Sequence, residues 1–379
     1  MAALASISAF AQSTVAITGN IDLGYRNVKE TATSAAGVSQ SRNVKAPIGN
    51  GAEGWTSSQV VLTISEDLGN GVKAGYVSDM NLNSWGAGAD SANQALATQR
   101  QSFLTLSDAK MGELRLGYQY TLDDQIQGGI GRATPTGNVG GRIQNFGLTT
   151  GPGTATANDI TSGAITRTNA FQYATPVMSG FQGLVQFASQ ADTRKVDNAT
   201  PNDGLADGKW QSVAVKYSQG PLNLGLASSK QVVKTDTVNT ANLLSETTQK
   251  LTNFAANYDL GMAKIYGNYF KRKANVVSEA ATNLDKTDRK GYDLGVSVPM
   301  GKTTLFASMG KGKFEFFDNS ASTDTNYKVT GRLLGATYDL SKRTSLNAYY
   351  SVYKATGEED AVGASAKRTN IGAGLRHQF

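Results

Sequence analysis

Among its 379 residues the chain has no cysteine, one histidine and only 7 prolines. Without cysteine there is no disulfide framework and no thiolate metal site. The single imidazole, His377, stands two residues from the end, on the apolar face of its segment. A Ser-His-Asp triad or a histidine metal centre therefore has no material to be built from. No window approaches the roughly 20 uninterrupted apolar residues that a spanning helix needs. The 36 Lys and Arg are scattered and the net charge of +6 is mild, whereas a nucleic-acid-binding face would gather its bases. Asp123-Asp124, and Asp285 with Asp288, lack the glycine and terminal glutamate of a calcium loop. Gly310-Lys311-Gly312 and Gly372-Ala373-Gly374 follow strand parity and not the strand–helix spacing of a phosphate loop. The residues thus offer no catalytic group, no metal or cofactor site and no nucleic-acid partner.

What the chain does contain is glycine, 42 residues of it, set in long stretches of alternating polarity. A mean hydropathy of −0.31 would ordinarily indicate a soluble protein. That average cannot separate a soluble chain from a membrane barrel, in which only alternate residues of each strand meet lipid. Periodicity can. Val15, Ile17, Gly19, Ile21, Leu23 and Tyr25 fall on one face of a strand; Ala16, Thr18, Asn20, Asp22, Gly24 and Arg26 fall on the other. The dyad pattern recurs over 72–82, 113–119, 181–190, 212–217 and 344–353, and less cleanly over 99–107 and 302–314. Such runs exceed an ordinary strand of about five or six residues and approach the ten or so that cross a bilayer at a tilt. Tyr25, Tyr76, Phe187, Tyr217 and Tyr350 lie on the apolar faces, as girdle residues would. The opposite faces carry Asn, Gln, Ser, Gly, Lys and Arg. In the dry core of a β-sandwich each unpaired polar group would cost about 1–3 kcal/mol. On the wall of a wet lumen the same groups are hydrated.

The connections set the architecture. Tight turns are expected around 67–71, 108–112, 176–180, 219–221, 259–261, 299–301 and 340–343, where Gly and Asx supply positive φ and side-chain bonds. Longer polar stretches lie near 27–55, 83–98, 121–167, 192–208, 232–248, 274–288, 315–326 and 355–367. The eight long and seven short connections alternate strictly, as in an antiparallel meander of 16 strands with both termini on the tight-turn rim. At the N-terminus, 5–11 is small and apolar and ends in the A-x-A pattern Ala9-Phe10-Ala11. It reads as a residual secretory signal peptide over 1–11, ahead of one barrel domain over 12–379. A short disordered arm is the other reading. The last segment places Ile371, Leu375 and the terminal Phe379 on one face, with Asn370, Gly372, Gly374 and Arg376 on the other.

Five stretches carry a family resemblance: Ser65-Glu66-Asp67-Leu68-Gly69-Asn70-Gly71-Val72-Lys73-Ala74-Gly75-Tyr76; Gly112-Glu113-Leu114-Arg115-Leu116-Gly117; Gln172-Tyr173-Ala174-Thr175-Pro176 with Gly180-Phe181; Tyr338-Asp339-Leu340-Ser341-Lys342-Arg343-Thr344; and Gly374-Leu375-Arg376-His377-Gln378-Phe379. On these the chain resembles a Gram-negative general diffusion porin of the β-proteobacterial type. The resemblance implies an all-β fold, a 16-stranded antiparallel transmembrane β-barrel with an inward-folded third loop that narrows the pore. It also implies a homotrimer in outer-membrane lipid and lipopolysaccharide, both termini periplasmic. The strand ending in Phe379 would be its signal to the outer-membrane assembly machinery.

The third loop would be 121–167, carrying Asp123, Asp124 and Asp159 against Arg132, Arg142 and Arg167. Such porins set loop acids across from wall arginines, and the resulting field favours polar, oriented solutes. Carried over by motif, Arg100 matches a wall arginine. Gln59 stands where relatives often have another arginine, so one positive rung is missing. Tyr118 stands where Gly-Arg is common, and Arg167 lies about one residue from the usual arginine before Asn169 and Tyr173. Arg115, Lys73 and Lys216 face the lumen by parity. The expected function is passive diffusion of small hydrophilic solutes and ions with weak anion preference. A selective carboxylate or phosphate channel is the alternative, and a non-conducting adhesin barrel the third reading.

Overall fold

The computed structural model describes residues 13–48, 58–82, 97–132, 167–190, 205–237, 243–278, 284–318, 323–359 and 362–379. Its strands are β1 (Thr14–Thr33), β2 (Ser39–Ile48), β3 (Gln59–Gly69), β4 (Val72–Leu82), β5 (Ala97–Asp108), β6 (Gly112–Tyr120), β7 (Arg167–Ala174), β8 (Phe181–Gln190) and β9 (Leu205–Gln219). They continue as β10 (Leu222–Thr237), β11 (Leu243–Asp259), β12 (Lys264–Ser278), β13 (Leu284–Met300), β14 (Thr303–Asp318), β15 (Thr323–Asp339), β16 (Thr344–Glu359) and β17 (Ser365–Gln378). A helix, α1 (Leu122–Gly129), follows β6.

Each strand from β3 onward pairs antiparallel with the next, and β17 returns to β1 from Asn20↔Gln378 to Thr33↔Ser365. The other edge of β1 is shared: Thr14–Asn20 pairs with β3 and Gly24–Thr33 with β2. Between those two ladders Ser58 fills the gap, its Oγ accepting from the Asp22 amide at 3.0 Å and donating to the Asp22 carbonyl at 3.2 Å. Because β2 and β3 occupy one position, the closed barrel has 16 strands around it.

All seven expected tight turns are present, and both described ends sit on that rim. The Gln378 amide donates to Arg343, in the turn before β16, at 2.8 Å. At the β3–β4 turn, Asn70 (φ 53°) and Gly71 (φ 87°) supply the left-handed pair that a two-residue hairpin demands.

The long connections are shorter than the sequence suggests. Strands β10 and β11 continue to Thr237 and from Leu243, and β12 and β13 to Ser278 and from Leu284. Dyad hydrophobicity marks a strand only where one face meets lipid. Above that belt both faces can be polar, so ribbons such as the Lys234–Glu246 and Thr235–Ser245 pairing leave no periodic signal. Likewise 27–55 is not one loop: β1 runs on to Thr33 and β2 returns from Ser39.

The outward faces are those read from sequence. Ile17 (63% exposed), Leu116 (60%) and Leu334 (60%) project outward, as do Tyr25, Phe187 and Tyr350. An apolar belt of this extent belongs in hydrocarbon. The inward face is less uniform than expected. Asn20, Asp22, Gln172, Gln186 and Asn370 line it, but so do Phe270, Phe306, Phe314, Tyr327, Val329, Leu333 and Tyr353, packed as one cluster over β12–β16.

Candidate functional site

Thr121 caps α1, its hydroxyl accepting from the Asp124 amide at 3.4 Å, with Asp123 and Asp124 in the first turn where the helix dipole favours acids. Leu122 and Ile126, one turn apart, are fully buried against Ala174, Leu184, Ala214, Ala227 and Ala255. Small side chains on that stretch of wall make room for the helix. Polar bonds fix its position. Asp123 accepts from Ser229 and, at 3.1 Å, from Asn253. Asn257 and Asn268 donate to the carbonyls of Ile130 (2.8 Å) and Gly131 (2.7 Å). At its start, Gln125 and Gln186 both donate to the Tyr120 carbonyl at 2.9 Å, and Gln172 accepts from both glutamines. Residues 121–132 therefore lie against the inner faces of β8 to β12.

Across from this helix, Arg100 is the residue the β4–β5 ladder leaves unpaired. Gln101 faces Asp79, whereas the next pair is Gln99 with Met80. A bulge of this kind re-aims a side chain. Arg100 contacts the inward-facing Gln59 and Asp79, donating to the Gln59 amide oxygen and lying 3.5 Å from Asp79 Oδ2. It also donates to the Tyr120 hydroxyl, which accepts from Arg167 at 2.9 Å as well, with the Arg167 guanidinium 4.6 Å from that ring's centre. Gln59 is thus an acceptor for a wall arginine where a further arginine was the comparison.

Asp124 feels Arg132, Arg167 and Arg100 together; burial raises its carboxyl above the ordinary value while these three pull it back. Asp123 is raised by burial too, with Ser229, Asn253 and Arg272 opposing. The two acids divide roles: Asp124 faces the arginines and Asp123, 2% exposed, anchors the helix to the wall.

The remaining expected residues are placed elsewhere. Arg115 forms an ion pair with Glu113 at 2.5 Å, its guanidinium 5.2 Å from the inward Phe103 ring, and its charge acts on Lys216. These groups and Lys73 sit on the tight-turn half of β4, β6 and β9, below the Arg100 cluster. Tyr118 pairs with Ser102, on the face of Leu114 and Leu116. It points outward and lines no lumen, as the parity of β6 requires. Arg142 and Asp159 lie outside the described residues. Phe379 exchanges backbone bonds with Gly19 at 3.1 Å in both directions, and its outward ring is 42% exposed.

Four residues were not singled out by sequence: Asp79, Tyr120, Arg272 and its register partner across β12 and β13, Arg289. Asp79 faces inward by simple parity. Thr121-x-x-Asp124 is a capping signal that announces α1. Arg272 and Arg289 share their faces with Phe270 and Phe314, so the alternation around them is blurred. Among the described residues no cluster of three or more His, Asp or Glu could hold a metal.

A family model described as Gram-negative porin matches residues 1–358. The chain belongs to the Gram-negative porin family. This porin is 28% identical over 393 residues to outer membrane porin protein 32 of Delftia acidovorans, covering 99% of this chain and 97% of that one. Among solved structures it is similar to an anion-selective porin from Comamonas acidovorans, with a TM-score of 0.59 at 22% identity over 97% of this chain and 100% of that one. It is also similar to the trimer form of an outer membrane protein of Vibrio cholerae, with a TM-score of 0.59 at 14% identity, covering 97% and 99%. The porin therefore resides in the outer membrane as a channel for passive diffusion of small hydrophilic solutes.

Proposed function

We propose that the Arg100 cluster and α1 together form the selective region of this porin, and that it weakly prefers anions. The observation that carries the reading is the charge balance around Asp124, where Arg100, Arg132 and Arg167 act on one loop acid and Asp79 is the second acid in reach. Three fixed cations against two carboxylates leave a positive excess. Tyr120 holds Arg100 and Arg167 to one point, so the excess is not spread by side-chain motion. Asp124 on the helix side and Arg100 and Arg167 on the wall side set up a transverse field that oriented polar solutes cross more readily than apolar ones. The anion selectivity of the Comamonas relative agrees with this reading.

In the same reading, residues 1–11 are a secretory signal remnant and 12–379 one barrel domain, with 121–167 as the constriction loop. The tight-turn rim faces the periplasm, and the Phe379 strand is presented to the assembly machinery. The porin works as a homotrimer like the Vibrio protein's trimer form, bedded in outer-membrane lipid and lipopolysaccharide.

The test is a reversal potential in a potassium chloride gradient across a planar bilayer. Wild type should show a modest anion preference and Arg100→Ser should reduce it. A permeating ion a few ångströms from a fixed charge in water feels about 1 kcal/mol, a roughly fivefold weight before screening. An unchanged reversal potential in Arg100→Ser overturns the assignment, and absence of conductance would favour a non-conducting barrel.

A further inference from the structure

We propose that Arg289, with Arg272 beside it, forms a second anion site in the inner wall of β12–β14, which takes a monocarboxylate with an apolar body. Arg289 and Arg272 are direct register partners, so two guanidinium groups stand side by side on the inward face. Arg272 is balanced by Asp123, whose charge reaches it. Arg289 has no such partner. Its side chain is 2% exposed, and its Nε and Nη1 meet no acceptor. The adjacent Asp288 lies on the opposite face, bridged to Lys273 at 3.0 Å. Asp293 shares the inward face but lies four residues along, about 13 Å at strand rise.

A guanidinium stays protonated under any condition a porin meets, and an uncompensated buried charge is expensive. The counter-charge must come from the side on which Arg289 faces, which is the lumen. What surrounds the group decides which anion. The Phe316 and Phe314 rings lie 5.0 and 5.9 Å from the guanidinium carbon. Phe316 stacks on Tyr327 at 5.6 Å with an interplanar angle of 11°, and Phe314 meets Tyr327 edge-on at 5.2 Å. Ring faces stabilise the cation without accepting a hydrogen bond, so the nitrogens stay available. Of these rings only Phe316 is partly exposed, while Phe314 (0%) and Tyr327 (2%) are buried behind it. A planar carboxylate matches the fork, an attached apolar body would contact Phe316, and a strongly hydrated phosphate dianion would lose more on entry.

This site is separate from the Arg100 cluster on β5–β7, and it rests only on the porin being a conducting channel. Sodium benzoate is the probe, added to single channels of the full protein carrying chloride current in a planar bilayer, with sodium phosphate as comparison. Wild type should show saturable block by benzoate and weaker block by phosphate. Arg289→Gln should weaken the benzoate block about tenfold, the loss expected for one charged hydrogen-bonding partner, and Arg289→Lys should fall between. Phe316→Ala leaves the charge in place, so it should weaken benzoate block while leaving acetate block alone; this holds if Arg289→Gln fails to give a heat-modifiable barrel. Equal benzoate block in wild type and Arg289→Gln overturns the site, as does absence of block. Tighter block by phosphate overturns the ligand class. Should Arg100→Ser abolish the block instead, benzoate binds at the Arg100 cluster and the proposal falls while the selectivity reading stands.

Discussion

Replacing Gly225 by valine tests whether α1 is seated by direct contact with the wall. A Cβ at Gly225 would lie 2.6 Å from Ile130 Cδ1 and 2.7 and 3.0 Å from two carbons of Ile126. Carbon–carbon contact settles near 3.5–4.0 Å, so even alanine falls short by roughly 1 Å. Alanine meets only the ends of two isoleucines, which can turn away at about 0.5–1.5 kcal/mol each. Valine is different. Its γ-carbons reach about 1.5 Å further, beyond what two side-chain rotations relieve, and the helix must lift by roughly 2 Å. The Asn257–Ile130 and Asn268–Gly131 bonds, now 2.8 and 2.7 Å, would open past hydrogen-bonding range. Each is worth about 1 kcal/mol, and overpacking adds about 1–3 kcal/mol.

The lift is directed off the wall, towards the lumen, so the free cross-section shrinks. Single-channel conductance of Gly225→Val should fall and open-channel noise should rise, with Gly225→Ala close to wild type. The strand ladders on both sides of Gly225 are backbone bonds to β9 and β11 and are untouched. Heat-modifiable migration should therefore report a formed barrel in both variants. A valine variant with wild-type conductance and noise would refute the contact argument.

Further expectations concern closure, ion pairs and pH. A side chain at Gly19 would meet Phe379 Cζ at 2.8 Å and the Gln59 carbonyl, so Gly19→Val should lower the yield of heat-modifiable barrel in the outer membrane; a wild-type yield would refute the seam's role. Glu30 and Arg368 pair at 2.5 Å with side chains 10% and 7% exposed, and Glu30→Gln removes the acid of this buried ion pair. That should destabilise the barrel, read as a lower temperature for loss of the folded band; an unchanged temperature would refute the pair's contribution. Because burial holds the Asp124 carboxyl above its unfolded value, its charge is lost as pH falls through that raised value. Anion preference should therefore rise on acidification from neutrality to about pH 4, and Asp124→Asn should hold it high and flat across that range. The same direction means that protonation steadies the folded loop, contributing stability below the unfolded value that is lost as pH rises through the folded one. A wild-type pH response in Asp124→Asn would sink this assignment.

The outer face of the barrel is legible from sequence because lipid imposes one rule on it. Ile17, Leu116, Ile371 and Phe379 project outward as alternation requires, and Gly and Asx locate every tight turn but 340–343, where the Ser341 hydroxyl accepts from the Arg343 and Thr344 amides. Three things are hidden, each for a physical reason. Strand ends beyond the bilayer have water on both sides, so 27–55 reads as one loop although β1 and β2 occupy most of it. Arg100 sits in a bulge, and a bulge shifts parity; the uneven alternation over 99–107 is its only trace. Tyr120 closes β6 where the chain turns into the lumen, so strand parity no longer governs its side chain, while Tyr118 two residues earlier obeys parity and faces outward.

The lumen shows why alternation informs less about the inside than the outside. Hydrocarbon excludes polar groups from the outer face, but water does not exclude rings from the inner one if something covers them. Here strand neighbours do part of that covering. A Cβ at inward Gly291 would meet the Phe270 ring at 2.7 Å, one at Gly335 the Phe306 ring at 2.5 Å, and one at Gly372 the Tyr349 ring at 2.7 Å. Each ring lies flat over a glycine of the next strand, where a side chain would force it off the wall. Glycine on the inner face is thus a seat for an aromatic residue, and the pairs lean the same way around β12 to β17. The wall opposite the Arg100 cluster therefore interleaves buried rings with polar side chains such as Asp293, Ser308, Asn347 and Asn370, and Arg289 is set among them. Alternation reports that a residue faces inward there, but which inward residues are rings and which are polar depends on where the neighbouring strand supplies a glycine.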